Sequence, residues 1–285
     1  MSMNSFHARH GRPRPAADSR KPVDRHGLLR VDQLLVAQGL AASRTAARAL
    51  VDAGRVSHEG EPVTKAALEL PPDARLAVTP DDSDRFVSRG ALKLEGALRR
   101  SLLDIHGITC LDIGQSTGGF TDCLLQAGAA KVVGVEVGHD QLHARLRHER
   151  RCITLEGLNA RQLTPADLGG HFPPHGFDLL VCDASFISLA LLMPQWPALL
   201  SPGGHVLALV KPQFEVGPQN LGKGGIVRDA SLYAEVEARL RAAAHEAGLR
   251  ILDWFDSPIT GGDGNREFFL HAIRATAGDT APHTS

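Results

Sequence analysis

The stretch Leu111-Asp112-Ile113-Gly114-Gln115-Ser116-Thr117-Gly118-Gly119-Phe120 decides how the chain folds. It leaves an apolar, strand-like run, passes through a cluster of glycines and enters a helix. Glycines at such a turn let the backbone approach a bound ligand closely, and the first turn of the helix supplies free N–H donors. The pattern is not G-x-G-x-x-G, and no Lys-Ser/Thr pair marks a P-loop, so neither a dinucleotide fingerprint nor a triphosphate cradle is written here. Asp112, Gly114, Ser116, Thr117, Gly118, Gly119 and Phe120 are the candidate cofactor contacts at this turn.

Working outward, apolar strand-like runs occur at 108–113, 131–137, 152–155, 177–182, 205–210 and 251–255, with helix-like stretches between most of them. This alternation predicts a parallel sheet with helices on both faces. A last run at 267–273 follows only the turn-rich Gly261-Gly262-Asp263-Gly264-Asn265, which predicts a hairpin and an antiparallel final strand. The fold class is α/β, Rossmann-like, with seven strands. Glu136 ends the second run, where an acid can accept hydrogen bonds from ribose hydroxyls or simply decorate a strand end. Asn159, after the third run, is placed either beside an adenine or as the cap of a turn.

Four polar residues fall where such a sheet gathers its ends. Lys93 lies on a helix expected to pack across the top of the sheet. Asp183 follows the fourth run, Lys211 the fifth, and Glu267 opens the last. Ligands of open α/β sheets bind at the carboxyl ends of the strands. Lys211 is the most telling singly, because a charge directly after the apolar Val206–Val210 is costly to place there without a role.

The first part of the chain is different. Residues 1–100 carry 17 Lys and Arg against 12 Asp and Glu, and the remainder carries 14 against 20. A basic front and acidic back point to a polyanionic partner met by the front. Residues 1–25 read as a disordered basic tail, and 276–285 as a second disordered tail. Between them, Leu28, Val31, Leu34 and Leu35 recur at helical spacing up to Gly39. Ser43 is the N-cap of a second helix to Ala53, Val56–Gly60 reads as a short strand and turn, and Leu76–Val78 as a closing strand. The acidic Pro80-Asp81-Asp82-Ser83-Asp84 is a linker, giving a small α+β domain at 26–84 and a large one at 85–275. Cys110, Cys123, Cys152 and Cys182 form no CxxC pair, so neither zinc nor a disulfide framework is expected. No apolar run is long enough to cross a bilayer and no secretory signal is present, so a cytoplasmic protein without membrane contact is expected.

The block RVDQLLVAQGLAASRTAARALVDAGRV, residues 30–56, resembles the RNA-binding module of ribosomal protein S-four. Its Arg30, Arg44, Arg48 and Arg55, with Arg89 further on, are the implied RNA contacts, since planar guanidinium forks suit phosphate. From Ser88 onward, VSRGALKL, STGGFTD, DASFISL, LVKPQFE and GNREFFL resemble the TlyA (haemolysin A) family of ribosomal RNA methyltransferases. These are relatives of the FtsJ-type 2′-O-methyltransferases. The resemblance implies a class I methyltransferase fold with S-adenosylmethionine as cofactor and no metal. It implies ribosomal RNA or ribosomal subunits as partner, with a cytidine ribose 2′-hydroxyl as acceptor. It also implies a tetrad on Lys93, Asp183, Lys211 and Glu267.

In that tetrad Lys211 takes or directs the hydroxyl proton, and an amine does so only when uncharged. Burial, a second ammonium and a sulfonium all favour that form. Asp183 and Glu267 orient the lysines and acceptor, Asp183 also touching cofactor, while Lys93 holds ribose or phosphate. Three rivals remain at this stage: a small-molecule methyltransferase, a haemolysin-like membrane-active protein, and a non-catalytic RNA-binding assembly factor. No amphipathic membrane hairpin is written in the sequence to favour the second.

Overall fold

The structure, a computed structural model, describes residues 27–41 and 43–275. The chain divides between Asp81 and Asp82 into two units; both tails read from sequence lie outside the described residues. In the first unit the elements run β1 (Leu29–Arg30), α1 (Val31–Ala37), α2 (Arg44–Asp52), β2 (Val56–His58), β3 (Glu61–Pro62), β4 (Glu69–Leu70) and β5 (Leu76–Val78). Val31, Leu34 and Leu35 of α1, Ala47 and Val51 of α2, and Val56, Val63 and Leu76 close one small core. The Ser43 hydroxyl accepts from the Ala46 N–H at 3.2 Å and so caps α2. Glu59 and Gly60, with φ of 51° and 86°, join β2 to β3. Two positive φ values in a two-residue loop match the right-handed twist of the flanking strands. The first helix starts at Val31 rather than Leu28, because Leu29 and Arg30 pair with Leu70 and Glu69. A two-residue strand abutting a helix leaves no period of its own to read.

The second unit runs α3 (Gly90–Ser101), β6 (Thr109–Ile113), α4 (Gly119–Gln126), β7 (Lys131–Glu136), α5 (Ala144–Arg147), β8 (Cys152–Glu156), β9 (Phe177–Cys182), α6 (Trp196–Leu199), β10 (Leu200–Val210), α7 (Leu232–Glu246), β11 (Leu249–Asp256) and β12 (Phe268–Arg274). Its sheet order is β11-β12-β10-β9-β6-β7-β8. β12 is antiparallel to both β10 and β11, while β10, β9, β6, β7 and β8 pair in parallel. Period-two alternation explains the unbroken apolar runs. Leu111, Ile113, Leu180, Cys182, Val206 and Ala208 face one core with α6 and α7. Cys110, Leu179, Val181, Leu207 and Leu209 face the other with α3 and α4. Both faces are covered, so both sets of side chains are apolar.

The chain winds from β6 outward through β7 to β8, then returns to β9 on the other side of β6. That reversal opens a crevice at the carboxyl ends of β6 and β9. Details differ from the sequence reading. β10 begins at Leu200, five residues earlier than expected, with its register shifting between Leu200 and His205 across Pro202-Gly203-Gly204. Glu267 immediately precedes β12 instead of opening it. The β8–β9 connection holds only short 3₁₀ turns, not a full helix.

Candidate active site

The glycine turn after β6 lies against the segment after β9. Gly114 has φ +81°, and a Cβ there would sit 3.1 Å from the Ala184 backbone, so no side chain fits between the two strand ends. Beneath the turn, Asp112 is fully buried. The Thr121 hydroxyl donates to Asp112 Oδ2 at 2.6 Å and accepts from Gln115 Nε2 at 2.9 Å. Asp112 Oδ1 and Gln115 Oε1 have no protein donor. Burial pushes the Asp112 carboxyl up to about 7, against the Thr121 hydrogen bond. The folded state therefore holds a proton that the unfolded chain, with an ordinary value of 3.8, has released. The stability contribution is present below that ordinary value and is lost as pH rises toward 7. Asp112→Asn keeps an acceptor for Thr121 and is expected to remove about 2–4 kcal/mol of this pH-dependent loss. Urea unfolding of the unliganded protein at pH 5 and pH 7.5 checks it; an unchanged slope with pH contradicts it.

A cavity of about 490 Å³ opens beside the turn. Ile113, Val135, Leu158, Ile187 and Leu192 supply apolar wall, and Gly114, Ser116, Glu136, Asn159 and Asp183 line it too. Glu136 is mostly engaged: Oε2 accepts from the Ser116 N–H at 2.9 Å and Oε1 from the Gly138 N–H at 2.8 Å. Each oxygen keeps one lone-pair direction for a ligand hydroxyl. Asn159 lines the cavity, and its Oδ1 accepts from the Arg161 N–H at 3.0 Å, capping a turn. Gln141, which the sequence reading missed, bridges to the Ser116 hydroxyl at 3.0 Å.

A second cavity, about 350 Å³, shares Gly114, Ser116, Asp183 and Ser185 with the first, so the two are halves of one crevice. Thr117, Gly119, Phe120, Arg89, Lys93 and Lys211 line this half. The ammonium of Lys211 lies 2.7 Å from Asp183 Oδ1 and donates to the Ser185 hydroxyl at 2.8 Å. The ammonium of Lys93, on α3, lies 2.6 Å from Glu267 Oε2. Both ammoniums are nearly enclosed, and the Glu267 side chain is 2% exposed. Burial pushes the Glu267 carboxyl up, and Lys93 pulls it back. A hydroxyl entering this half meets two amines and the Asp183 carboxylate, while Glu267 lines neither half and stands behind Lys93. Asp112 and Gly118 line neither half; Gly118, at φ +90°, instead packs under Leu146. Ser185 was also missed, since a serine three residues past a strand carries no signal of its own.

In the first unit, Asp32 is 5% exposed and gathers two of the arginines read as RNA contacts. Arg30 Nε lies 3.1 Å from Oδ1, and Arg44 Nη2 lies 3.0 Å from Oδ2. Arg55 Nε donates to the Thr79 carbonyl at 2.9 Å. Arg48 is exposed and makes no hydrogen bond or ion pair among the described residues. The Arg30 hydrogen bond leads the causes that hold the Asp32 carboxyl down to about 2. Its contribution is thus complete above the ordinary 3.8 and lost as pH falls through about 2. Asp32→Asn is expected to cost about 1–3 kcal/mol and to loosen both guanidiniums. An unchanged thermal midpoint at pH 7 contradicts that.

This sheet order, with the antiparallel β12 between β10 and β11 and a glycine turn after β6, defines a class I methyltransferase. The family models agree: "FtsJ-like methyltransferase" matches residues 86–274 and "S4 domain" residues 29–76. The 16S/23S rRNA (cytidine-2′-O)-methyltransferase TlyA of Mycobacterium tuberculosis is 44% identical over 85% of this chain and 88% of its own. Hemolysin A of Brachyspira hyodysenteriae is 34% identical over 86% of this chain and 100% of its own. A solved structure from Streptococcus thermophilus is 39% identical with a TM-score of 0.68, covering 87% of this chain and 89% of that one. The chain belongs to the TlyA family of FtsJ-like methyltransferases. Among the described residues no helix is long and apolar enough to cross a membrane.

Proposed function

We propose that the protein transfers a methyl group from S-adenosylmethionine to a ribose 2′-hydroxyl of ribosomal RNA, at cytidine. One observation carries the reading. Lys93, backed by the buried Glu267, and Lys211, paired with Asp183, line the same half of the crevice beside the glycine turn, where a methyl donor and a hydroxyl acceptor would share space. The residues fit the cofactor. The apolar half with Glu136 and Asn159 suits adenosine. The turn at Gly114 leaves no room for a side chain, so a ligand can lie close against its backbone. When bound, S-adenosylmethionine supplies an electrophilic methyl on a sulfonium.

The chain's own residues do the rest. Lys211, steadied by Asp183 and Ser185, orients the hydroxyl and, in its uncharged amine form, takes the hydroxyl proton as the oxygen attacks. Lys93, fixed by Glu267, holds the ribose or its phosphate so that the attack is in line. Arg89 at the rim and the arginines of the first unit hold the RNA backbone, and the S-four-type unit brings RNA as the substrate class.

The test supplies labelled S-adenosylmethionine with bacterial ribosomal RNA, isolated subunits, a protein mixture and small hydroxyl acceptors. Incorporation into RNA or subunits, recovered as methylated cytidine, supports the reading. Transfer only to small acceptors or protein overturns it.

A further inference from the structure

Asn265 stands two residues before Glu267 and is 2% exposed. Its Oδ1 accepts from the Val227 N–H at 3.0 Å, and its Nδ2 donates to the Gly225 carbonyl at 3.0 Å and to Asp263 Oδ2 at 2.8 Å. Its own N–H donates to Asp263 Oδ1 at 3.0 Å, and its carbonyl accepts from the Gly261 N–H at 2.9 Å. Asp263 Oδ2 receives a further bond, from Gln213 Nε2 at 3.1 Å. Gln213 lies two residues past Lys211, so this network runs from behind one ion pair to behind the other. Asn265, Asp263 and Gln213 line neither half of the crevice.

Gly261 shows what the network holds in place. A Cβ at this position would lie 2.7 Å from Glu267 Oε1 and 2.7 Å from Asp263 Oδ1. The backbone of the turn is thus seated directly against the carboxylate that pairs with Lys93. Glu267 cannot swing toward the turn, and the turn cannot lift without breaking the Gly261–Asn265 bond. A surface turn needs no buried amide that ties it to a distant segment; this one is tied to 225–227 beside a buried acid.

We propose that Asn265 is a positioning residue for methyl transfer, holding the Gly261 turn against Glu267 and tying it through Asp263 and Gln213 to the segment that carries Lys211. The inference rests on reading Glu267 and Lys211 as parts of the reacting site. The charged groups acting on Glu267 are Lys93 on α3, Lys211 after β10 and Asp183 after β9.

Two full-length variants test it from opposite sides. Asn265→Ala removes the amide's bonds, whereas Gly261→Ala leaves the amide in place and puts a methyl against both the Glu267 and the Asp263 carboxylates. Gly261 does not use a left-handed φ, so alanine is tolerated by the backbone. Both variants are expected to lower kcat on the order of 10–100-fold. Calorimetric affinity for S-adenosylhomocysteine should stay within about threefold of wild type, because the adenosine half is untouched. The acid limb of the kcat–pH profile should move up, since Glu267 displaced from Lys93 loses the interaction that opposes its burial. A purely structural role would lower the yield of folded enzyme without moving that limb. If Asn265→Ala fails to fold, Gly261→Ala decides. Wild-type kcat and an unmoved acid limb in Gly261→Ala, with Glu267→Gln inactive, overturn this inference alone. Wild-type turnover by Glu267→Gln overturns the site reading beneath it.

Discussion

Lys211→Ala is expected to lower methyl transfer to RNA on the order of 1,000-fold or more while leaving affinity for S-adenosylhomocysteine within about threefold. The amine lies 2.7 Å from Asp183 and 2.8 Å from the Ser185 hydroxyl, two residues of the wall shared by both halves of the crevice. Its removal takes away the group that aims and deprotonates the acceptor, and leaves the adenosine-facing wall intact. Lys211→Arg separates two roles. Arginine keeps the positive charge but cannot give up its proton near neutral pH, and its planar fork does not fit a point contact. If Lys211 acts on the hydroxyl proton, Arg is as inactive as Ala; if only charge matters, Arg retains most of the rate. Single-turnover rates with saturating RNA check this, alongside thermal melting, because Asp183 is left without its partner. Wild-type turnover by Lys211→Ala would remove the assigned role outright.

The second large effect concerns the first unit. A chain beginning at Asp82 keeps every residue that lines the crevice and both cores of the second unit. It is expected to bind S-adenosylhomocysteine as the full chain does, yet to bind ribosomal RNA on the order of 100-fold more weakly at physiological salt. The decisive quantity is the salt slope. Each phosphate contact on single-stranded RNA contributes about −0.7 to the log–log dependence of affinity on salt, so losing several arginines should flatten it by about 2–3 units. Arg48, exposed and unpaired among the described residues, is the single change to make first. Arg30 and Arg44 are held forward by Asp32 and are expected to act as a pair. Filter binding of both chains across a salt series measures it; superimposable lines would mean that the first unit does not carry the RNA contact.

Much of this was legible in the residues because the physics was local or periodic. The runs at 108–113 and 177–182 gave parallel strands, since strands buried on both faces must be apolar throughout. The glycines at 114, 118 and 119 announced a strand-to-helix turn. The turn-rich 261–265 gave the antiparallel last strand, which the β10–β12 and β11–β12 registers display. What was not legible depends on distance in the chain. Nothing local says that Asp32 lies under Arg44, twelve residues on, or that Asn265 reaches Val227, 38 residues back. Asp112, expected at the ligand, lies beneath the turn, because its side chain follows strand alternation into the sheet face shared with Thr121. Glu136 was read as a ribose acceptor or a strand-end acid, and no residue pattern encodes the two backbone N–H groups that also reach it.

The most direct measurement of the central claim is where the methyl goes. Ribosomal RNA labelled by this protein should be hydrolysed in alkali, which cleaves through a free 2′-hydroxyl and stops where that oxygen carries a methyl. Label is expected in alkali-resistant dinucleotides whose 5′ residue is cytidine, and is expected to be lost in Lys93→Ala, Lys211→Ala and Glu267→Gln alike. Label released as alkali-sensitive mononucleotides would place the methyl on a base, and the ribose reaction assigned to these two ion pairs would be contradicted.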